Sequence, residues 1–123
     1  MIQRTMRHLA LALAAVASFG ASAAAHEKVG ECVDLSDARS FKRGGSQYLY
    51  IADGAEHYRL SFVGGDCGDM RNTSKLSLKT GDAANRICPK DTKLVANGRT
   101  CKVSTIEKLA ADDYARLTRK RRT

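Results

Sequence analysis

Few residues of this chain have types and spacing that could support chemistry, and the four cysteines are the most informative. Their spacing contains no C-x-x-C pair for redox exchange, no C-x-x-C-H for haem attachment and no paired ligands for structural zinc. An even number in a short chain outside the cytosol is typical of two disulfides, each worth about 2–4 kcal/mol. We therefore predict a disulfide-stabilised protein with no metal and no other cofactor, built on Cys32, Cys67, Cys88 and Cys101.

Four cysteines allow three pairings, and the sequence alone does not select among them. We favour the nested pairing, Cys32–Cys101 with Cys67–Cys88, because it would tie the first strand to the last one and clip the middle of the chain.

Catalysis would have to depend on His57, because His26, the other histidine after residue 25, would stand at the N-terminus of the processed chain. The aspartates fall mainly in predicted turns, where they favour local hydrogen bonds. The loop at residues 64–69, GGDCGD, has the glycines of a phosphate cradle, but its two carboxylates would repel phosphate. We predict that the protein is not an enzyme, with a small hydrolase that uses His57 as the alternative.

His26 offers a metal-binding alternative. If a protease cut after Ala23, the new terminus Ala24-Ala25-His26 could enclose Cu(II) in a square plane. A lone terminal histidine is more often a solvated residue, so copper binding ranks below partner binding.

The first 25 residues have the three parts of a secretory signal peptide. Arg4 and Arg7 supply the positive charge, residues 9–19 form an apolar run, and residues 21–25 (ASAAA) satisfy the cleavage rule. The apolar run is shorter than the roughly 20 residues that span a bilayer, and no second run follows. We predict cleavage after Ala25, with Ala23 as the alternative, and one periplasmic or secreted domain at residues 26–123 without a transmembrane segment.

The charge indicates the kind of partner. The formal net charge is +8, and loss of Arg4 and Arg7 with the signal peptide leaves 8 − 2 = +6. A basic surface favours anionic partners, so we expect a non-catalytic module that binds an anionic envelope component or another envelope protein. A secreted protein inhibitor is the alternative, and the charge can also serve solubility alone.

Alternating residues and turn signals predict a mainly β fold, a small sandwich or open barrel of about six strands with a C-terminal helix. Asp53-Gly54 and Asn97-Gly98 are hairpin signals. The runs that alternate or favour strands are residues 47–52, 56–63, 74–79, 93–96 and 99–103.

A stripe formed by Leu109, Tyr114 and Leu117 predicts the helix near the C-terminus. A start at Ser104, with Glu107 completing a capping box, is the competing boundary.

The first hairpin carries the most suggestive surface. A two-residue Asp53-Gly54 turn would put Tyr48, Tyr50, His57 and Arg59 on one side of the ribbon, suited to stacking and anion binding. A three-residue turn would instead bury Tyr48, Tyr50 and Tyr58 together, which is the more common use of tyrosine in a chain without tryptophan.

A basic cluster near the C-terminus is a second possible anion-binding surface, with a solvated helix end as the simpler interpretation. It consists of Arg119, Lys120, Arg121 and Arg122.

The order of cysteines and core positions resembles a known family. Tyr58-x-Leu60 leads to Cys67, Arg86-Ile87-Cys88 follows, and Gly98-x-x-Cys101-x-Val103-x-x-Ile106-x-x-Leu109 ends the pattern. This order is similar to that of a family of small exported proteobacterial proteins, domain of unknown function 6491. The resemblance implies export and disulfides, and it implies no reaction.

Overall fold

A computed structural model of the chain describes residues 27–73 and 75–119. Eight strands of this part form one antiparallel sheet in the order β3-β4-β5-β10-β9-β6-β7, with β1 beside β10, and β2 pairs with β8 separately. The elements are β1 (Glu27–Lys28), β2 (Val33–Asp34), β3 (Ser40–Gly44), β4 (Tyr48–Asp53), β5 (Glu56–Phe62), β6 (Leu76–Thr80), β7 (Ala83–Ala84), β8 (Arg86–Ile87), β9 (Thr92–Ala96), β10 (Arg99–Leu109) and α1 (Ala111–Leu117). The sheet curves into a half-barrel, so the predicted mainly β open barrel with a C-terminal helix is confirmed. Six of the described strands have five or more residues, and these account for the predicted number.

The first hairpin forms as predicted, but its turn lies one residue later. Asp53 pairs with Glu56, so the two loop residues are Gly54 and Ala55 rather than Asp53 and Gly54. Gly54 has a φ of 64°, which a residue without a side chain adopts at no steric cost. The inward side chains of β4 and β5, on the side opposite Tyr48, Tyr50, His57 and Arg59, are Leu49, Ile51, Tyr58, Leu60 and Phe62.

The second hairpin is confirmed. Ala96 pairs with Arg99, and the two loop residues Asn97 and Gly98 have φ values of 55° and 76°. Positive φ at both positions is what a type I′ turn requires.

β10 is the central strand of the sheet. Its first residues pair with β9, and the residues from Val103 to its end pair with β5. The register shifts between Val103 and Thr105, which is a bulge that bends the strand from one half of the sheet to the other. The competing helix start at Ser104 is therefore wrong: β-branched Val103, Thr105 and Ile106 favour an extended chain, and the helix begins only at Ala111.

The core lies on the concave side of the half-barrel. Leu35, Met70, Leu78, Ile87 and Leu94 join the inward residues of β4 and β5 there. A second, smaller cluster lies on the convex side, beneath α1, and contains Tyr50, Leu109 and Tyr114 with Tyr48, Ala52 and Leu117 packed against them.

The disulfides join Cys32 to Cys88 and Cys67 to Cys101, with S–S distances of 2.05 and 2.01 Å. The nested pairing favoured from the sequence is therefore wrong. Val33 pairs with Ile87, which places Cys32 and Cys88 opposite each other at the ends of β2 and β8. Cys67, the partner of Cys101, is buried in the core against which Cys101 packs.

Candidate functional site

The four hairpin residues predicted as a binding surface share the convex face of the sheet. Tyr50 lies opposite Arg59, and His57 lies opposite Ala52. The pairs expected from an Asp53-Gly54 turn, Tyr50 with His57 and Tyr48 with Arg59, do not form because the turn lies one residue further along the chain.

Helix α1 covers much of this face. The Tyr114 ring lies 4.6 Å from the His57 ring and 6.3 Å from the Tyr50 ring, and Tyr50 is only 4% exposed. The predicted open stacking surface is therefore wrong for Tyr50. The alternative, a core shared by three tyrosines, is also wrong, because Tyr58 points to the main core while Tyr48 and Tyr50 lie on the opposite face.

Arg59 is engaged within the fold. Its Nε and Nη2 atoms donate hydrogen bonds to Oε1 of Glu107 at 3.0 and 2.7 Å, and its guanidinium stands 4.7 Å from the centre of the Tyr48 ring. Burial alone would lower the pKa of Arg59, but its hydrogen bonds to Glu107 and Tyr50 raise the pKa overall. A positive charge held by a carboxylate in this way contributes little attraction for an external anion.

His57 and Tyr114 carry buried polar atoms without hydrogen-bond partners among the described residues, Nδ1 and the hydroxyl oxygen respectively. Burial raises the pKa of the Tyr114 hydroxyl, and Ser40 offsets part of that rise without making a hydrogen bond of standard geometry. A histidine that serves as a general base normally has a partner that orients its second nitrogen, and Nδ1 of His57 lacks one in this part of the chain.

The other predicted site residues lie at the ends of the described ranges or outside them. Arg119 is exposed just after α1, whereas Lys120, Arg121 and Arg122 lie outside the described residues, as does His26.

The structure brings together a basic row that sequence reasoning missed. Lys79 on β6 pairs with Lys93 on β9, and Lys93 pairs with Lys102 on β10. Their strand neighbours Leu78 and Leu94 are buried in the core, so alternation directs the three lysines to the convex face. We refer to Lys79, Lys93 and Lys102 as the lysine row.

Like charges in directly opposite positions of a sheet are destabilising, because their Cβ atoms are only about 5 Å apart. None of the three lysines forms an ion pair with another described residue. On the other half of the same face, the cross-strand neighbours Arg59 and Glu107 have opposite charges and form the ion pair described above. The lysine row is thus a concentration of positive charge without ion pairs among the described residues, although Asp91 lies near Lys93 and Lys102.

A shallow depression of about 560 Å³ adjoins the lysine row at the Asn97-Gly98 hairpin. Its lining is mostly polar or small and is formed by Thr73, Lys75, Leu76, Ser77, Val95, Asn97 and Gly98. A second depression of about 260 Å³ lies on the opposite side of the row, where Lys93 and Lys102 meet Asp91 and the exposed side chain of Val63.

The sequence contained half of the signal for this site. The alternation of residues 74–79 places lysines on the polar side of β6, but Lys93 and Lys102 become their neighbours only through the pairing of three strands. No local pattern contains that pairing.

Across the described parts of the chain, no helix is long and apolar enough to cross a membrane. Within the same ranges, no group of three or more His, Cys, Asp or Glu side chains is placed to hold a metal ion.

Comparison with known proteins adds a family and no activity. No curated protein and no solved structure matches the chain significantly. The model of a family described as "Family of unknown function (DUF6491)" matches residues 3–123, nearly the whole sequence. The chain therefore belongs to this family, as the order of its cysteines and core residues suggested.

Proposed function

We propose that the protein is a non-catalytic binding module of the cell envelope that holds anionic partners. The observation that carries this proposal is the lysine row, in which three like charges stand side by side on a solvent-facing sheet. Such an arrangement costs stability, and proteins retain costly charge where a ligand uses it.

The row differs from the two surfaces expected at first. On the hairpin face Tyr50 is covered and Arg59 is held by Glu107, so neither of these two predicted residues is open to an anion. The lysine row has exposed ends at Lys79 and Lys102 and a half-buried centre at Lys93.

A polyanion-binding experiment with matched variants tests the proposal. Heparin serves as the probe, and its affinity is measured by titration calorimetry at several salt concentrations. Exchange of all three lysines of the row for glutamine should weaken binding more than tenfold and reduce the slope of log K against log salt by about three. The control exchanges Lys28, Lys42 and Lys90, which removes the same charge elsewhere and should leave most of the affinity. Equal losses in the two variants, or no binding at low salt, would refute the proposal.

Export forms part of the same proposal. The two disulfides support an oxidising compartment, and the first 25 residues have the features of a signal peptide. Intact mass of the protein recovered from the periplasm or medium should correspond to a chain that begins at His26 or, with the alternative cut, at Ala24. A chain that retains Met1 would contradict export by cleavage.

The other functions considered from the sequence stay predictions. Protein inhibition shares the property of partner binding, but no described contact identifies a protease or lysozyme target. Copper binding depends on His26 and hydrolysis on His57. Copper titration of the processed chain and a substrate panel with His57→Ala would test these two functions.

A further inference from the structure

We infer that the ligand of this face is an acidic polysaccharide whose charges are separated by neutral, hydroxyl-bearing sugars. This inference rests on the proposed function and narrows it to one class of anion. The arrangement of charged and neutral residues around the lysine row carries it.

The convex face of β6, β9 and β10 presents its side chains in successive rows. Next to the lysine row lies a neutral row in which Ser77 pairs with Val95 and Val95 with Thr100. Beyond it, Lys75 and Asn97 line the depression and return positive charge to the face. Along the strands, the face therefore presents the lysine row, then the neutral row, and then the positive charge of Lys75.

The dimensions of this pattern follow from sheet geometry. The lysine row crosses three strands and spans about 10 Å, because neighbouring strands lie about 4.8 Å apart. Lys75 lies four residues before Lys79 on the same chain segment, which corresponds to about 13 Å in an extended conformation. A ligand that lies along the strands meets cations at both ends of this interval and hydroxyl groups between them.

A nucleic acid fits this pattern poorly. A nucleic-acid strand carries a phosphate on every nucleotide, without neutral units between them, so a strand along this face would place phosphate over the neutral row without a cation. Proteins that bind single strands also stack bases on aromatic rings. Every described tyrosine and phenylalanine belongs to one of the two hydrophobic clusters, and none lines the depression.

The neutral row and its margin suit sugars instead. Ser77 and Thr100 are exposed hydroxyls, and Asn97 presents an amide at the rim of the depression. These groups both donate and accept hydrogen bonds, as sugar hydroxyls do. Val95 offers a small apolar surface between them, against which the carbon face of a sugar can pack.

The test compares two probes with equal numbers of negative charges and a third at equal total concentration of anionic groups. The first two are a hyaluronan octasaccharide, which carries one carboxylate per disaccharide, and an oligothymidylate with four phosphates. The third is a preparation of vesicles that contain phosphatidylglycerol. We expect the octasaccharide to bind at least tenfold more tightly than either of the others. Equal or tighter binding of the oligothymidylate or the vesicles would overturn the inference and leave the proposed function standing.

A hydroxyl-deletion variant provides the second readout. Ser77→Ala combined with Thr100→Ala should weaken octasaccharide binding about tenfold, the loss expected for two hydrogen bonds, and should leave oligothymidylate binding unchanged. The matched control is Ser61→Ala with Thr105→Ala, which removes two paired hydroxyls from the other half of the convex face. An unchanged octasaccharide affinity in the first variant would overturn the inference. If none of the three probes binds the unmodified protein, both the inference and the proposed function fail.

Discussion

Lys93 stands between Lys79 and Lys102, so its replacement by glutamine is expected to stabilise the protein while weakening its affinity for anions. The two effects have a common cause. Each neighbour repels the Lys93 ammonium in the free protein, and a bound polyanion offsets that repulsion. Glutamine keeps most of the side chain and removes only the charge.

The magnitude follows from Coulomb's law. If flexible side chains let the ammonium groups separate to about 7 Å, each pair repels by about 0.6 kcal/mol in water. Two neighbours give about 1.2 kcal/mol at low ionic strength, which falls to about 0.5 kcal/mol at physiological salt, where the Debye length is about 8 Å. In the unfolded chain the three lysines lie far apart in sequence, so the difference appears in the free energy of unfolding.

Urea unfolding followed by circular dichroism measures this effect. At low salt, Lys93→Gln should raise the free energy of unfolding by about 1 kcal/mol and the melting temperature by about 5 °C. In about 1 M salt the gain should nearly vanish, since the Debye length shrinks to about 3 Å. Heparin affinity should fall in the same variant.

The matched control is Lys42→Gln, which removes an exposed lysine whose cross-strand neighbour is the uncharged Tyr50. It should change stability by less than about 0.5 kcal/mol. A loss of stability in Lys93→Gln, a gain that persists in high salt, or an equal gain in Lys42→Gln would each refute the electrostatic account.

Four further predictions concern the framework around the site. Thr92→Val should lower the free energy of unfolding by about 1–3 kcal/mol, because the buried Thr92 hydroxyl accepts a hydrogen bond from the Cys88 N–H and donates one to the Cys88 C=O, both at 2.7 Å. Thr92→Ser keeps the hydroxyl and should lower it less, as measured by urea unfolding. Tyr114→Ala should lower the free energy of unfolding by about 2–4 kcal/mol and loosen α1. Tyr114→Phe removes a hydroxyl that has no hydrogen-bond partner among the described residues, so it should leave the free energy of unfolding nearly unchanged. Burial raises the pKa of Tyr58, so its contribution to stability is complete below pH 10 and is lost as the pH rises through the raised pKa. Burial raises the pKa of Tyr114 as well, so ultraviolet titration should show two late-ionising tyrosines, one of which disappears in Tyr58→Phe. Tryptic digestion without reduction should leave the Cys88 fragment joined to that of Cys32, and a link from Cys88 to any other cysteine would contradict the fold.

Local features of the fold could be predicted, because neighbouring residues determine them. Asn97-Gly98 forms the expected turn since both residues tolerate positive φ. Around Asp53-Gly54 the sequence offers two adjacent two-residue turns with one glycine. Only the packing of β4 against β5 selects the later of the two.

The end of β10 shows where periodicity misleads. Leu109, Tyr114 and Leu117 do share one cluster, as a helical stripe predicts. Leu109 joins that cluster from the last position of a strand, however, and the other two join it from the helix. A shared environment therefore did not mean a shared element.

Long-range pairing could not be predicted from the sequence. The disulfides follow from which strands are neighbours, and β2 pairs with β8 although more than fifty residues separate Cys32 from Cys88. The lysine row depends on the same kind of information. Both required the order of strands in the sheet, which no local pattern contains.

The position of β10 also determines when the molecule can form. This strand is the last of the described strands, yet it borders β1, β5 and β9 and carries one half of a disulfide. A nascent chain that has not yet delivered residues 99–109 lacks the centre of its sheet, so β1 has no partner and β5 and β9 each keep one unpaired edge. Contacts between such distant residues slow folding, and unpaired strands aggregate. We therefore expect the sheet to form only after residues 99–109 are available, and the protein to need protection from aggregation until then.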